Sequence, residues 1–175
     1  MRGTDPYASN PVPAFQVTSE SFRDGDTLAP DQRSGIFRAG GKDISPQLSW
    51  MGAPPDARSF AVTMLDPDAP DPGGFWHWAV VNIPAKVSSL PADAGTADGR
   101  FIPAGAFQLK NDGGYVGYLG AAAPRGHGPH RYMVAVHALD VADLGLTVNS
   151  APSILASTLP KHTLARALIT GLFER

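Results

Sequence analysis

Between Leu65 and Pro84 the chain reads LDPDAPDPGGFWHWAVVNIP, a stretch that leaves few folding options. Asp66, Asp68 and Asp71 alternate with Pro67, Pro70 and Pro72. Each proline fixes φ and lacks an N–H, so residues 66–72 can be neither helix nor central strand and form a rigid acidic loop. Asp66 and Asp68 are two apart, so in an extended backbone both carboxylates can point the same way. Three prolines in so tight a turn predict at least one cis X-Pro bond, with Ala69-Pro70 the first choice. Beyond Gly73-Gly74 the run Phe75 to Asn82 reads as a strand. Phe75, His77, Ala79 and Val81 fall on one face, and Trp76, Trp78, Val80 and Asn82 on the other. A histidine heading an apolar face beside an acidic loop is placed to border a polar pocket.

The strand preceding that loop is Phe60 to Leu65 (FAVTML), and others follow the same logic. Nineteen glycines and 17 prolines in 175 residues are too many for a helical bundle and suit short strands joined by turns. An all-β core is the expectation. The length fits one domain, taken as residues 14–175 after a proline-bearing tail at 1–13. With 14 Lys+Arg against 16 Asp+Glu, no positive excess exists to drive binding to nucleic acid. The chain has no cysteine, which excludes disulfides, thiolate metal sites and a cysteine nucleophile. MRGTDPYASNPVPAF lacks the apolar core of a signal peptide, so a cytoplasmic location is the default expectation.

Phe15 to Phe22 alternates as a half-buried strand does, and Gly40 to Trp50 (GGKDISPQLSW) supplies a turn and a short apolar strand. Residues 85–114, rich in Gly, Ala, Asp and Pro, read as an excursion at one edge of the sheet. In YLGAAAPRGHGPHRYMVAVHALD, Gly120, Pro124, Gly126, Gly128 and Pro129 force an irregular loop that runs into the strand Arg131 to Leu139. His130 and Tyr132 share one face at its start, while Arg131 points the other way and suits a structural ion pair or a cover over an aromatic ring. The C-terminal stretch from Ser150 is the one strongly helical segment. Ser150 or Ser153 is a candidate N-cap, Pro160 divides two short helices and Gly171 ends the second.

DPDAP, the HW pair before VVNIP, and GHGPHRY together resemble the phosphatidylethanolamine-binding proteins, and among them the bacterial, Raf-kinase-inhibitor-like branch. GGKDISPQLSW and KHTLARALITGLFER extend the resemblance over nearly the whole chain. It implies a mainly β, two-sheet antiparallel sandwich-like fold with short peripheral and C-terminal helices. It also implies a small surface pocket for phosphate-like or acetate-like anions, lined by the residues matching Asp66, Asp68, His77, Gly120, Pro124, His130 and Tyr132. Where members commonly carry proline after the glycine matching Gly120, this chain has Ala121-Ala122-Ala123. Bacterial relatives also make a homodimer an expectation.

Two imidazoles, a tyrosine hydroxyl and backbone N–H groups can donate several hydrogen bonds to one oxyanion. In this scheme the aspartates orient the rings and raise their pKa. Other roles remain open: Asp66 and Asp68 as turn-shaping residues, and His77 as a buried histidine bonded to a backbone carbonyl. His77, His130, Asp66 and Asp68 are also the right kinds of metal ligand, but no ligand spacing is present, and neither metal nor cofactor is expected. His127, His137 and His162 read as surface or packing residues. The favoured function is an anion-binding module for a phosphorylated small molecule, a phospholipid headgroup or a phosphoprotein, regulating a kinase or protease. The alternatives are a phosphoester or ester hydrolase using His77, His130 and Asp66 as general acid and base, and an interaction protein with a vestigial pocket.

Overall fold

The fold, a computed structural model that describes residues 3–175, is built from eight strands and one short helix. The strands are β1 (Gln16–Thr18), β2 (Leu48–Met51), β3 (Ser59–Asp66), β4 (Phe75–Pro84), β5 (Ser89–Leu90), β6 (Phe107–Gln108), β7 (His130–Leu139) and β8 (Thr163–Phe173). The helix, α1, is Leu155–His162. β1, β2 and β5 form a three-stranded sheet, and a second sheet runs β6-β4-β3-β7-β8. Every pairing of these strands is antiparallel. The mainly β, two-sheet architecture is the one the sequence and the resemblance imply.

The main core lies between the sheets. Leu48, Trp50 and Leu90 of the small sheet meet Phe60, Val62, Val80 and Ile83 of the large one. Trp50 lies edge-on to Phe60 at 5.5 Å. A second apolar cluster covers the outer face of the large sheet, where Leu155 and Leu159 of α1 pack with Leu65, Trp76 and Val81. With both faces covered, all eight residues of β3 are buried. That explains why FAVTML is a continuous apolar run rather than an alternating one.

Three expectations are corrected. The segment from Thr163 to Phe173 is a strand paired along β7, not a second helix. Leu, Ala and Arg favour helix locally, but the open edge of β7 offers a full ladder of backbone hydrogen bonds and a buried face for Ala165, Ala167 and Ile169. Pro160 falls inside α1 instead of dividing two helices, and neither Ser150 nor Ser153 caps it: Ile154 is its N-cap, with no side-chain bond. No peptide bond among the described residues is cis, Ala69-Pro70 included. The 66–74 loop reverses by other means. Asp66 Oδ1 accepts the Asp68 N–H at 2.8 Å, and Gly73 and Gly74 take φ of +86° and +84°, a region open to glycine at little steric cost.

The third correction concerns β4. Leu65 pairs with Trp76 and Met64 with Trp78, so one step on β3 matches two on β4 and His77 is the extra residue of a β-bulge. The strict alternation read from the sequence therefore breaks. Trp78 enters the inter-sheet core and Trp76 the outer cluster. The bulge turns His77 to the inter-sheet side, beside Tyr132 at 5.2 Å between ring centroids.

Candidate functional site

Strand parity collects the site. Phe60, Val62 and Met64 of β3 face the other sheet, so Asp66 at the end of that strand does too. His130 and Tyr132 begin the matching face of β7, and the bulge adds His77. These four side chains are almost fully buried, and they converge behind a pocket of about 180 Å³. Asp66 and His77 reach its surface, with Asp71, Ala122 and Pro124 around them and Phe37 and Phe75 as an aromatic rim.

Each histidine is held through Nδ1. The His130 Nδ1–H donates to Asp66 Oδ2 at 2.7 Å. His77 Nδ1 lies 2.8 Å from the Leu119 carbonyl oxygen, which can only accept, so Nδ1 carries the proton and Nε2 is a bare acceptor. The same residue closes the clasp from the other side, Leu119 N–H donating to the His77 carbonyl at 3.0 Å. No hydrogen-bond partner holds either Nε2 among the described residues. Burial drives the His77 pKa down to about 4, against the weaker upward pull of the Leu119 and Gly120 carbonyls. His77 is thus the carbonyl-bonded buried histidine, neutral at pH 7, and not an imidazolium sustained by a carboxylate. Burial raises the Asp66 carboxyl, opposed by its bond from His130.

Tyr132 and the alanines shape the pocket wall. The Tyr132 hydroxyl accepts the Ala122 N–H at 3.2 Å, and burial holds the phenol above its ordinary pKa, so its own O–H remains a donor. Arg175, which the sequence reading passed over, grips the same wall from behind. Its Nε–H donates to the Ala123 carbonyl at 2.7 Å and a terminal nitrogen to that of Ala122 at 3.3 Å. Ala121-Ala122-Ala123 is therefore pinned on both sides. No local pattern marks Arg175. Phe37 carried a fainter signal, an aromatic that ends 39 % exposed.

The remaining sequence candidates sit elsewhere. Gly120 lies behind the wall, where its N–H donates to Asp43 Oδ1 at 2.8 Å. A Cβ there would stand 2.3 Å from the Arg33 carbonyl carbon and 2.5 Å from the Ser34 nitrogen. Gly120→Ala should therefore lower stability by about 1–3 kcal/mol, since backbone must shift to admit it. A thermal melt checks this, and an unchanged Tm would show the approach to be soft. Asp68 turns away from the pocket and holds Arg131, the ion pair that strand parity left to that arginine. His127 is exposed, with its ring 5.7 Å from His130. Among the described residues no three His, Asp or Glu side chains converge as metal ligands would.

A family model described as "Phosphatidylethanolamine-binding protein" matches residues 18–174. The chain is 44% identical over 161 residues to the UPF0098 protein YbcL of Escherichia coli, covering 92% of this chain and 88% of that one. It is 39% identical over 160 residues to YbhB of the same organism, covering 91% and 100%. The crystal structure of YbcL, described as a new member of the mammalian PEBP family, superposes with a TM-score of 0.89 at 43% identity, over 92% of this chain and 98% of that one. A phosphatidylethanolamine-binding protein from Plasmodium vivax shares the fold at 16% identity and a TM-score of 0.60, over 94% and 87%. With a matching model across most of its length and relatives this similar over nine-tenths of it, the chain belongs to the phosphatidylethanolamine-binding protein family.

Proposed function

We propose that the pocket behind Phe37 and Phe75 binds a phosphate-like oxyanion, and that the protein recognises a phosphorylated small molecule, a phospholipid headgroup or a phosphorylated side chain. The observation that carries this reading is the pair of imidazoles fixed through Nδ1 with both Nε2 atoms unpartnered. The Tyr132 O–H supplies a donor, and the bare His77 Nε2 takes a hydrogen bond from a protonated ligand oxygen. The favoured ligand form is therefore the singly protonated phosphate monoester. Its second pKa is about 6, so affinity should rise as pH falls from 8 toward 6. A module of this kind suits the regulation of a kinase or protease. The reading also takes residues 14–175 as one unit, in the cytoplasm, with Asp68, Gly120 and Pro124 supporting the pocket and pairing of two copies as a further property. Among the described residues no helix is long and apolar enough to cross a membrane.

Isothermal titration with phosphoserine, phosphoethanolamine and inorganic phosphate tests the proposal and separates the ligand sources. His130→Ala and His77→Ala should each weaken binding by about one to two orders of magnitude, the worth of one hydrogen bond to a charged group. Affinity indifferent to both substitutions, or rising steadily above pH 7, sinks the reading. A second reading, a phosphoester or ester hydrolase, draws on the 2.7 Å Asp66–His130 contact, which orients a ring as a general base needs. Turnover of a generic phosphoester that disappears in His130→Ala would favour it.

A further inference from the structure

On the opposite face of the large sheet, three polar side chains interrupt an apolar surface. Thr63 of β3, His137 of β7 and Arg166 of β8 lie close together, since His137 pairs with both Ala61 and Arg166. Residues 6–10 cross over them. Tyr7 lies beneath the Arg166 guanidinium, 4.3 Å from ring centroid to Cζ, and edge-on to His137 at 5.8 Å. Between this strap, Trp76 and α1 there is a cavity of about 110 Å³, to which Leu65, Leu155 and Leu159 present alkyl surface.

Six buried side-chain polar atoms fall outside hydrogen-bond geometry among the described residues, and four belong to this cluster: Tyr7 OH, Thr63 Oγ1, His137 Nε2 and Arg166 Nε. The Tyr7 and Thr63 hydroxyls bear on one another, which leaves His137 Nε2 and Arg166 Nε as the two without a counterpart. Native chains seldom leave such groups unmatched, and both His137 and Arg166 line the cavity, which points to a missing partner there. Arg166 has no carboxylate within ion-pair distance among the described residues. The Thr163 hydroxyl donates to the Leu159 carbonyl at 2.7 Å and so accepts from His137 Nδ1–H at 3.2 Å. His137 Nε2 is therefore a bare acceptor. Burial supports this neutral form, holding the ring down to about 3.

A matching ligand offers an oxygen to the Arg166 Nε–H, one proton to His137, and a short alkyl group to the leucines. A cavity of 150 Å³ accepts benzene, so this smaller one limits the ligand to roughly two to four carbons. We propose that this chamber is a binding site for a short-chain carboxylic acid, seated with its carboxyl group among Arg166, Tyr7 and His137 and its alkyl chain against Leu65, Trp76 and Leu155. The bound species is the acid, its proton shared with His137 Nε2, so the carboxylate binds with uptake of one proton from solution. The other charged or titratable groups that bear on the cluster are Asp5 and Tyr7 of the strap and Arg166 of β8. β4 and α1 line the chamber with uncharged side chains.

The test is an NMR titration of the full chain with propionate, following the ring resonances of His137 and the methyl groups of Leu155 and Leu159, in the wild type and in His130→Ala. Saturable shifts should appear in both proteins, and affinity should rise about tenfold per pH unit from 8 to 6, as uptake of one proton requires. Ala156→Leu, at an exposed position of α1 that borders the cavity, should abolish the response by filling it. Arg166→Lys, which keeps the charge but removes Nε, should weaken binding about tenfold. The proposal is overturned if the His137 shifts do not saturate, if they survive both substitutions, if affinity is independent of pH, or if propionate perturbs only the His77 and His130 region.

Discussion

Asp68→Ala is expected to destabilise the protein by about 3–5 kcal/mol, the range for removing one partner of a buried ion pair. The carboxylate accepts four hydrogen bonds on two oxygens. Arg131 donates from its backbone N–H and Nε–H to Oδ2, both at 2.9 Å, and from a terminal nitrogen to Oδ1 at 2.8 Å; Gly3 N–H adds a bond to Oδ1 at 2.7 Å. Burial alone would raise this carboxyl's pKa, but the bonds from Arg131 and Gly3 outweigh it and hold the pKa at about 2. With Asp68 gone, Arg131 is left half-enclosed without its counter-charge, the acidic loop loses its tie to β7, and the N-terminal strap keeps only the bond from Arg131 to the Gly3 carbonyl at 2.7 Å. Urea denaturation at pH 7 gives the magnitude, and hydrogen exchange at Gly3 reports the strap. A loss under about 1 kcal/mol would place this pair with ordinary surface ion pairs. Since the folded pKa lies below 3.8, this stabilisation is present above that pH and fades as pH falls toward 2.

A steeper response to acid is expected at milder pH. His77 and His137 are buried and neutral, their pKa values pushed by burial from 6.5 to about 4 and about 3. Both pKa values are depressed on folding, so the unfolded chain binds protons that the folded chain refuses. Stability is then full above pH 6.5 and falls as pH drops toward 4. Each group contributes about 1.4 kcal/mol per pH unit across that window, or roughly 3 kcal/mol for His77 alone. Two such groups are comparable with the whole stability of an ordinary domain, about 5–15 kcal/mol. Asp66 works the other way, because its raised pKa restores some stability at the acid end. Urea midpoints at pH 7, 5.5 and 4.5 should fall accordingly, and His137→Phe should roughly halve the slope even if it lowers stability at pH 7. A flat profile over these values would show that one or both rings open to solvent at little cost.

The acid response follows from features the sequence did not mark. His137 read as a surface or packing residue, because one polar side chain in MVAVHALD carries no sign of what lies above it. Its burial depends on Tyr7 and Arg166, which are 130 and 29 residues away in the chain. Similarly, Asp68 looked equivalent to Asp66. The turn at Pro67 sends one carboxylate to His130 and the other to Arg131, on opposite faces of β7. Spacing of two put them on one side only so long as the backbone stayed extended.

Much of the site was legible nonetheless. β3, β4 and β7 could be read from their apolar runs and the Gly/Pro punctuation around them, because a strand covered on both faces needs apolar residues at nearly every position. The order of DPDAP, HW and GHGPHRY identified the family, and parity at the start of β7 correctly separated Arg131 from His130 and Tyr132. What only tertiary structure decided was whatever depended on a partner distant in the chain. Thr163–Phe173 is a strand because β7 has an open edge, although its local propensity is helical. His77 faces the pocket because β4 carries one residue more than β3 at that point, and a bulge reverses every parity argument beyond it. The neutral state of His77 follows from its burial beside Phe75 and Tyr132 and from the Leu119 carbonyl, 42 residues away, that fixes its proton on Nδ1. Local sequence sets which backbone conformations are cheap and which faces are apolar, while desolvation and hydrogen-bond partnering depend on all the chain packed around a group.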